Sequence, residues 1–385
     1  MKFESELSED RLLNESIISS VNEWMEPITD DDVRYAETVS EFKHSIQKKI
    51  MFFVVFVVLA IVASIYNITI GPFDISFTEV YTAIWDRISN QVGDSIREVN
   101  VDYIVNDIRG PRVVVGLATG AALAVCGVVM QGVMKNPLAD PYTTGVSSGA
   151  SLGATVVMTT GLLGLTTHVG VVSAAFVFSL IPIGIIVLIT KISNASPTTM
   201  IMAGIGTMYV FNAITTVLML WADPRDLAAV YNWQVGSIST SSWEDVPIII
   251  VVTLIGILIT QFCAEKMNVL ATGDESAKAL GINADRFRIL MLILTGLLSA
   301  VIVSFTGLIG FVGLVTPHIA RMFVGANNRF LIPGSAVLGA FIVLLADCIG
   351  RIALPSAILP VGVVMSFVGG PVFIWLLLRR SNRAW

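Results

Sequence analysis

The sequence predicts an all-α protein that crosses a membrane many times, and three observations support this prediction. Of its 385 residues, 55% are hydrophobic and only 14% are charged, whereas a soluble domain has about a quarter charged residues. The apolar residues fall into runs of about 20, the length that a helix needs to span a bilayer. A polar, proline-bracketed segment also interrupts the apolar runs, and broken backbone at membrane depth is tolerated only inside protein or beside a watery cavity. Together these features indicate a transport path rather than a simple anchor.

The first 45 residues differ from the rest and predict a cytoplasmic N-terminal arm. They are rich in Asp and Glu, and no apolar core begins before Ile50. A signal peptide would have a basic start and an early apolar core, so the arm is not one. Its acidic character suits a solvated segment and argues against nucleic-acid binding. The chain therefore divides into an acidic arm, 1–45, and a transmembrane domain, 46–385.

Ten apolar runs are candidate membrane spans. They are 50–72, 113–134, 144–164, 169–190, 200–221, 246–264, 287–306, 308–324, 331–350 and 358–378. Basic residues flank the set: Lys43, Lys48 and Lys49 before it, and Arg379, Arg380 and Arg383 after it. The positive-inside rule places both flanks in the cytoplasm. Glycines interrupt the pair at 287–324, which on its own could be one re-entrant element. Two ends on one side require an even number of crossings, so ten fits and nine does not.

The stretch 109–153 carries the strongest local signal. Its segment 136–141, Asn-Pro-Leu-Ala-Asp-Pro, cannot continue a helix because each proline lacks an N–H and restricts its predecessor. After it, Gly145, Gly149 and Gly153 fall four apart and would form one smooth stripe on a helix. Such a stripe lets two membrane helices approach backbone to backbone.

Two stretches share a layout and predict an inverted repeat. Residues 113–141 and 287–317 each read as an apolar helix, a glycine cluster and a proline-containing break, the second break being Thr316-Pro317. The first copy starts outside and the second starts inside. Opposite orientation of two halves is common in transporters.

The residues that most often hold metals or form disulfides are scattered. Cys126, Cys263 and Cys348 lie far apart, as do the histidines. This spacing predicts no metal site, no disulfide framework and no cofactor. The glycine pair at 334–339 resembles the start of a phosphate loop but lacks the Lys-Ser/Thr that completes one.

Four blocks, in the same order, resemble the membrane permease subunit of the iron-siderophore, haem and cobalamin ABC importers, the FecCD/BtuC-like family. They are RGPRVVVGLATGAALAVCGVVMQGVMKNPLADPYTTGVSSGASLGA at 109–154, NVLATGDESAKALGIN at 268–283, GLIGFVGLVTPHIARMFVGANNRFLIPGSAVLGA at 307–340 and LPVGVVMSFVGGPVFIWLLLRR at 359–380. The resemblance runs over about 70% of the chain. At one position the chain departs from the family: Ile358 replaces the usual glutamate before Leu-Pro-Val-Gly.

The resemblance implies a BtuC-like permease fold of ten helices with an inverted repeat, in the cell membrane and surrounded by lipid. It implies a homodimer with a substrate path along the dimer axis and no catalytic centre. Two ATP-binding-cassette ATPase subunits would lie on the cytoplasmic side and one extracytoplasmic substrate-binding protein on the other. The substrate class would be a metal chelate: a ferric siderophore, haem or cobalamin.

By the same resemblance, a cytoplasmic segment couples the permease to the ATPases. Its residues are Gly273, Asp274, Glu275, Ala277, Leu280 and Gly281. The residue types fit a short helix, because Asp274 and Glu275 suit a helix start while glycines supply the turn and the end. An ordinary capped loop helix is the alternative.

The resemblance also assigns a cytoplasmic gate to Asn136 and Leu138, with Pro197 and Thr198 as its second constriction. The family often has small hydroxyl residues at the second place, so Pro197 is a mild departure. The alternative is that Asn136 and Pro137 only cap a helix end.

Three arginines, Arg109, Arg112 and Arg351, are expected at the outer face. The resemblance implies that they pair with glutamates of the binding protein, a role that suits the planar guanidinium fork. Snorkelling to lipid headgroups is one alternative. For Arg351 there is another, since Asp347 lies one helical turn away.

A different class of function, an ion-coupled secondary transporter, remains the alternative. Such carriers place ionisable residues in mid-membrane, and the predicted spans are nearly free of them, with Asp347 near an outer end. A scaffold or receptor without transport activity fits the broken helices poorly.

Overall fold

The computed structural model describes residues 29–89, 95–161, 164, 166–192, 196–354 and 357–380, and these residues form helices and turns without any β-strand. The chain separates into two compact units, residues 1–50 and 51–385. Most of the predicted acidic arm, residues 1–28, lies outside the described residues. The second unit contains every site discussed below.

Fifteen α-helices make up the described part of the chain. They are α1 (Thr29–Thr69), α2 (Phe77–Ser89), α3 (Ile96–Asp102), α4 (Gly110–Val133), α5 (Val146–Thr160), α6 (His168–Ile192), α7 (Pro197–Leu220), α8 (Pro224–Gln234), α9 (Val246–Phe262), α10 (Ala264–Ala271), α11 (Asp274–Ala279), α12 (Ala284–Thr306), α13 (Val312–Val324), α14 (Asn328–Ile352) and α15 (Val361–Arg380). A π-helical segment, Tyr103–Arg109, joins α3 to α4.

Each of the ten predicted spans contains a helix, but the helices differ in length. Six described helices or continuous helix runs are long and apolar enough to cross a membrane, or seven if the bent pair α9 and α10 is one span. By contrast, α5 has 15 residues and α13 has 13, about 22 and 20 Å at 1.5 Å per residue. Of the ten helices that correspond to predicted spans, α5, α13 and α15 fall outside the set of long spans.

Helix α4 lies at the centre of the larger unit, where glycines allow backbones to meet. A Cβ atom at Gly120 would collide with the carbonyl group of Gly339 in α14, and one at Gly127 with that of Gly313 in α13. Small residues at such crossings permit close packing without any polar contact. Helix α4 is thus fixed against the C-terminal half of the chain.

Helices α2 and α3 lie in the connection between the first two predicted spans, where they form a small cap. Ile75, Val80 and Val101 pack in its apolar cluster, and Arg97 binds Glu79 at 2.6 Å. Hydrogen bonds from Arg97 and from Ser76 lower the pKa of Glu79 to about 2. The connection between these two spans is therefore a folded, ion-paired cap.

The predicted position of the second break is wrong. Pro317 lies inside α13, and the chain is broken earlier, at residues 307–311. A proline at this position removes the hydrogen bond to the Gly313 carbonyl, but the Gln131 side-chain amide of α4 donates to that carbonyl at 3.4 Å and to Leu314 at 3.2 Å. A neighbouring helix therefore satisfies the backbone that the proline frees, as membrane proteins require.

The two predicted halves have similar sequences of helix lengths. Helices α4 to α7 have 24, 15, 25 and 24 residues, and α12 to α15 have 23, 13, 25 and 20. The short helix of each half follows a residue with left-handed backbone, Gly145 (φ 81°) in one and Phe311 (φ 66°) in the other. Each half therefore consists of a long helix, a break, a short helix and two long helices.

Candidate functional site

The break after α4 is built from local hydrogen bonds. The helix ends with Asn136 N–H donating to the Gln131 carbonyl (3.2 Å) and Lys135 N–H to the Gly132 carbonyl (3.4 Å), the bonding pattern of a Schellman ending. Lys135 itself has a left-handed φ of 48°. Asp140 then caps a single 3₁₀ turn, Pro141–Thr144. The predicted inability of 136–141 to continue the helix is confirmed.

The predicted gate residues lie on two neighbouring segments. The Asn136 side-chain oxygen accepts the Leu138 N–H at 2.9 Å, and the Leu138 side chain is 44% exposed. Pro197 is the first residue of α7, followed by the exposed Thr198. Both segments adjoin one apolar cluster, which contains Ala139 and Met200. They are therefore close in the fold, with Leu138 and Thr198 both open to solvent.

The two breaks are joined directly by a partly buried tyrosine. The Tyr142 hydroxyl donates to the Ile309 carbonyl and accepts the Ile309 N–H, both at 3.0 Å. Ile309 is only 1% exposed. One side chain thus satisfies both backbone groups of a residue in the other half. No sequence pattern predicted this contact.

The three glycines of the predicted stripe have two different structural roles. A Cβ atom at Gly149 or Gly153 would collide with the backbone of α6, at Phe178 and Ala174 respectively, so these two allow α5 and α6 to pack closely. Gly145 precedes α5 and adopts a left-handed φ of 81°, facing the Gly204 carbonyl of α7. It is a turn glycine rather than a member of a helix stripe.

The predicted coupling segment is a short helix with an exposed end. Helix α11 lies between Gly273 (φ 129°) and Gly281 (φ 80°), as their positions in the sequence suggested. Ala277 is fully buried in the core, whereas Leu280 is 68% exposed. Glu275 is also exposed. The segment therefore presents a leucine and a carboxylate to solvent.

Asp274, the first residue of α11, is bonded to two neighbouring helix ends. One of its oxygens accepts hydrogen bonds from Lys135 Nζ at 2.7 Å and from Arg288 at 2.6 Å. These bonds, the one from Arg288 foremost, lower the pKa of Asp274 to about 2. Arg288 is only 1% exposed and also donates to the Val133 carbonyl. The carboxylate thus joins α11 to the ends of α4 and α12.

The expectation that Arg112 and Arg351 face outward is wrong. Both bind Asp347, Arg112 at 2.5 Å and Arg351 at 2.6 Å. Their side chains are 7% and 3% exposed, and Asp347 is fully buried. The alternative partner considered for Arg351 is the one it has. The sequence did not reveal that Arg112, 235 residues from Asp347, would share this carboxylate.

Arg109 also points inward. It is 4% exposed and donates to the carbonyls of Ile68 (2.7 Å), Thr69 (2.8 Å) and Phe73 (3.0 Å). Carbonyls at the end of α1 lack helical partners, and a guanidinium group satisfies them. All three arginines therefore link the predicted outer ends of α1, α4 and α14. None of the three is exposed for contact with a binding protein.

A cavity of about 470 Å³ opens between the two halves. Its wall includes Trp233 of α8, Phe305 of α12 and His168 of α6, whose Nε2 lies 3.1 Å from Asp245. Ile358, which stands where the resembled family has glutamate, also lines it. The substitution makes this part of the wall apolar. Within the described ranges, no cluster of three or more His, Cys, Asp or Glu is arranged to hold a metal ion.

This helical membrane protein has two helix breaks that are bonded to each other, a short helix with an exposed end, and a cavity between its halves. These are the features of a transport permease. The chain belongs to the FecCD transport family, whose model matches residues 58–379. It is a multi-pass membrane permease, not an enzyme.

Two relatives and one solved structure support the same assignment. The cobalamin import system permease BtuC of Halobacterium salinarum is 38% identical over 282 residues, 73% of this chain and 75% of that protein. The hemin transport system permease HmuU of Yersinia pestis is 33% identical over 331 residues, 85% of this chain and 95% of that protein. A solved structure described as an inward-facing, metal-chelate type ABC transporter is 28% identical, with a TM-score of 0.74, and covers 85% of this chain and 98% of that one.

Proposed function

We propose that this chain is the transmembrane subunit of an ABC importer that carries a metal chelate across the cell membrane. The observation that carries the proposal is α11, a short helix with exposed Glu275 and Leu280 whose first residue is bonded to the break after α4. The names of two relatives support cobalamin or haem as the chelate, and the family resemblance adds a ferric siderophore.

The proposed topology has ten crossings with both ends in the cytoplasm. Besides the seven long spans, it counts α5, α13 and α15 as crossings, because they occupy corresponding places in two halves of similar layout. The matching helix lengths and the left-handed residues Gly145 and Phe311 support an inverted repeat. In such a repeat, substrate is handled where the broken helices of the two halves meet, and Tyr142 and Ile309 meet there.

The proposed assembly is a homodimer with two ATP-binding-cassette subunits and one extracytoplasmic binding protein. The ATPases contact Gly273, Glu275, Leu280 and Gly281, while Asp274 is bonded to Lys135 and Arg288 and Ala277 is buried. Asn136, Leu138, Pro197 and Thr198 narrow the cytoplasmic end of the path along the dimer axis. ATP-driven closure would shift the path between outward and inward access, a rigid-body transition of the kind seen in other switching proteins.

The alternative of an ion-coupled carrier is less well supported. Such a carrier needs an ionisable group that takes up and releases its ion within the membrane. Asp347, the buried carboxylate on α14, is bonded to two arginines and is not open to the cavity. A carboxylate fixed in this way suits a structural role.

The experiment that tests the proposal is reconstitution of the chain in vesicles with ATPase subunits and binding protein. We expect ATP-dependent uptake of hemin, cyanocobalamin or ferrichrome, and no ATP hydrolysis by the chain alone. Glu275→Lys should keep the chain folded while lowering the uptake per ATP, because it inverts a charge at the joint. Uptake by the chain alone, driven by an ion gradient, would refute the proposal in favour of a secondary carrier.

A further inference from the structure

Lys135 occupies a backbone position that favours glycine. Its φ is 48°, and it follows the last turn of α4 at the place in a Schellman ending where glycine is the usual residue. A side chain in the left-handed region destabilises the turn, because Cβ approaches the following carbonyl oxygen. A lysine at this position is a local departure from backbone preference, and such departures concentrate at functional sites.

The lysine side chain has a specific partner. Its ammonium group donates to Asp274 at 2.7 Å. The same carboxylate oxygen accepts from Arg288 at 2.6 Å, and Arg288 donates to the Val133 carbonyl at 3.2 Å. The guanidinium group is 2% exposed, so it is a fixed point. Helix α11 is therefore attached to the end of α4 by two routes, one through a buried arginine and one through an exposed lysine.

We infer that the Lys135–Asp274 ion pair is a tether through which movement of α11 reaches the gate. This inference rests on the proposed function, since an ATPase must move α11. Lys135 directly precedes Asn136, the first residue of the proposed gate. A displacement of Asp274 therefore acts on the residue from which the 136–141 segment begins. Arg288 links the carboxylate to the Val133 carbonyl at the end of α4, whereas the Lys135 side chain, 38% exposed, links it to the turn itself.

The variant Lys135→Gly distinguishes a tether from an ion pair that only stabilises the fold. Lys135→Gly removes the ammonium group and also gives the turn the residue that it prefers, so the fold should be as stable as before or more so. Lys135→Arg keeps a cation within reach of Asp274. As a matched control, Lys191→Ala removes a lysine from the last turn of α6, at another predicted cytoplasmic helix end.

The measurement needs no knowledge of the substrate. The full chain is assembled with its ATPase subunits in nanodiscs, and amide hydrogen exchange of residues 134–140 is compared with and without AMP-PNP. We expect the nucleotide to change the exchange of this segment in the wild-type, Lys135→Arg and Lys191→Ala chains. In Lys135→Gly the change should shrink by about threefold or more, the order of effect that an ion pair of this exposure supports.

Each outcome of the exchange and melting measurements either supports or overturns the tether. A nucleotide response in Lys135→Gly equal to that of the wild type would overturn the tether, because the segment would then follow the ATPase without the ion pair. A lower melting temperature for Lys135→Gly together with an unchanged nucleotide response would likewise overturn it, since the pair would then serve stability alone. A wild-type chain that neither assembles with ATPases nor responds to AMP-PNP contradicts the proposed function itself, and the tether with it.

Discussion

The Tyr142 hydroxyl and the Ile309 backbone form a closed pair of hydrogen bonds, one donated and one accepted, both 3.0 Å long. Tyr142 lies in the break between α4 and α5, and Ile309 lies in the break between α12 and α13. A non-helical backbone inside a membrane protein needs partners for its N–H and C=O groups. Here one half of the molecule supplies both partners for a residue of the other.

Tyr142→Phe should lower the free energy of unfolding by about 1–2 kcal/mol, because it leaves the Ile309 N–H and carbonyl without their partner. Thermal unfolding of the purified chain in detergent measures the effect. Tyr209→Phe is the control, since Tyr209 is 69% exposed on α7, and it should change nothing. Equal melting temperatures for both variants would show that the hydroxyl has no stabilising role.

Asp347→Asn should destabilise the chain by about 3–5 kcal/mol, because it leaves Arg112 and Arg351 buried without their counter-charge. The yield of folded protein by size-exclusion chromatography and the melting temperature both report this. Asp223→Asn, at an exposed position before α8, should behave like the wild type. A stable Asp347→Asn protein would mean that hydrogen bonds to backbone carbonyls are enough to stabilise the two buried arginines.

Gly149→Ala should cost about 1–3 kcal/mol, since the added methyl group must displace the α6 backbone near Phe178 and Ser179. Gly184→Ala is the matched comparison: it also adds one methyl group to a helical glycine, but into open space, and should be neutral or stabilising by up to about 1 kcal/mol. The two melting temperatures should therefore move in opposite directions or differ clearly. Similar shifts would contradict the close approach of α5 and α6.

The pH dependence of stability should report the Asp274 network. Because its pKa is lowered from 3.8 to about 2, the ionised carboxylate stabilises the folded chain fully above the ordinary value, and this contribution is lost as the pH falls through the folded pKa. The difference in melting temperature between the wild type and Asp274→Asn should therefore narrow between pH 5 and pH 2. A difference that stays constant over this interval would show that the carboxylate is not specifically stabilised.

The sequence predicted the elements whose signals are local. Apolar runs placed a helix in each of ten ranges, prolines located the break at 136–141, and glycines bracketed α11. The break predicted at Thr316-Pro317 was wrong, because Pro317 lies inside α13 and the carbonyl that it frees accepts a hydrogen bond from Gln131. That compensation comes from another helix and leaves no mark near the proline.

The orientation of the arginines was not predictable for a similar reason. The residue types at 109 and 112 suit an outer surface as well as an interior pair, and only the three-dimensional fold brings Asp347 to Arg112. The inward direction of Arg109 depends on carbonyls at the end of α1, which any helix end offers. The Tyr142–Ile309 link likewise joins side chain to backbone, and backbone groups carry no sequence signal.

The distance of 235 residues between Arg112 and Asp347 has a consequence for the order of synthesis. A ribosome that adds about 5–20 residues per second needs roughly 10–50 s to reach the aspartate after making the arginine. During this interval the early helices enter the bilayer with a guanidinium group whose counter-charge does not yet exist. The nascent protein must therefore keep that end of α4 in contact with water or with the insertion machinery until the ninth proposed span arrives.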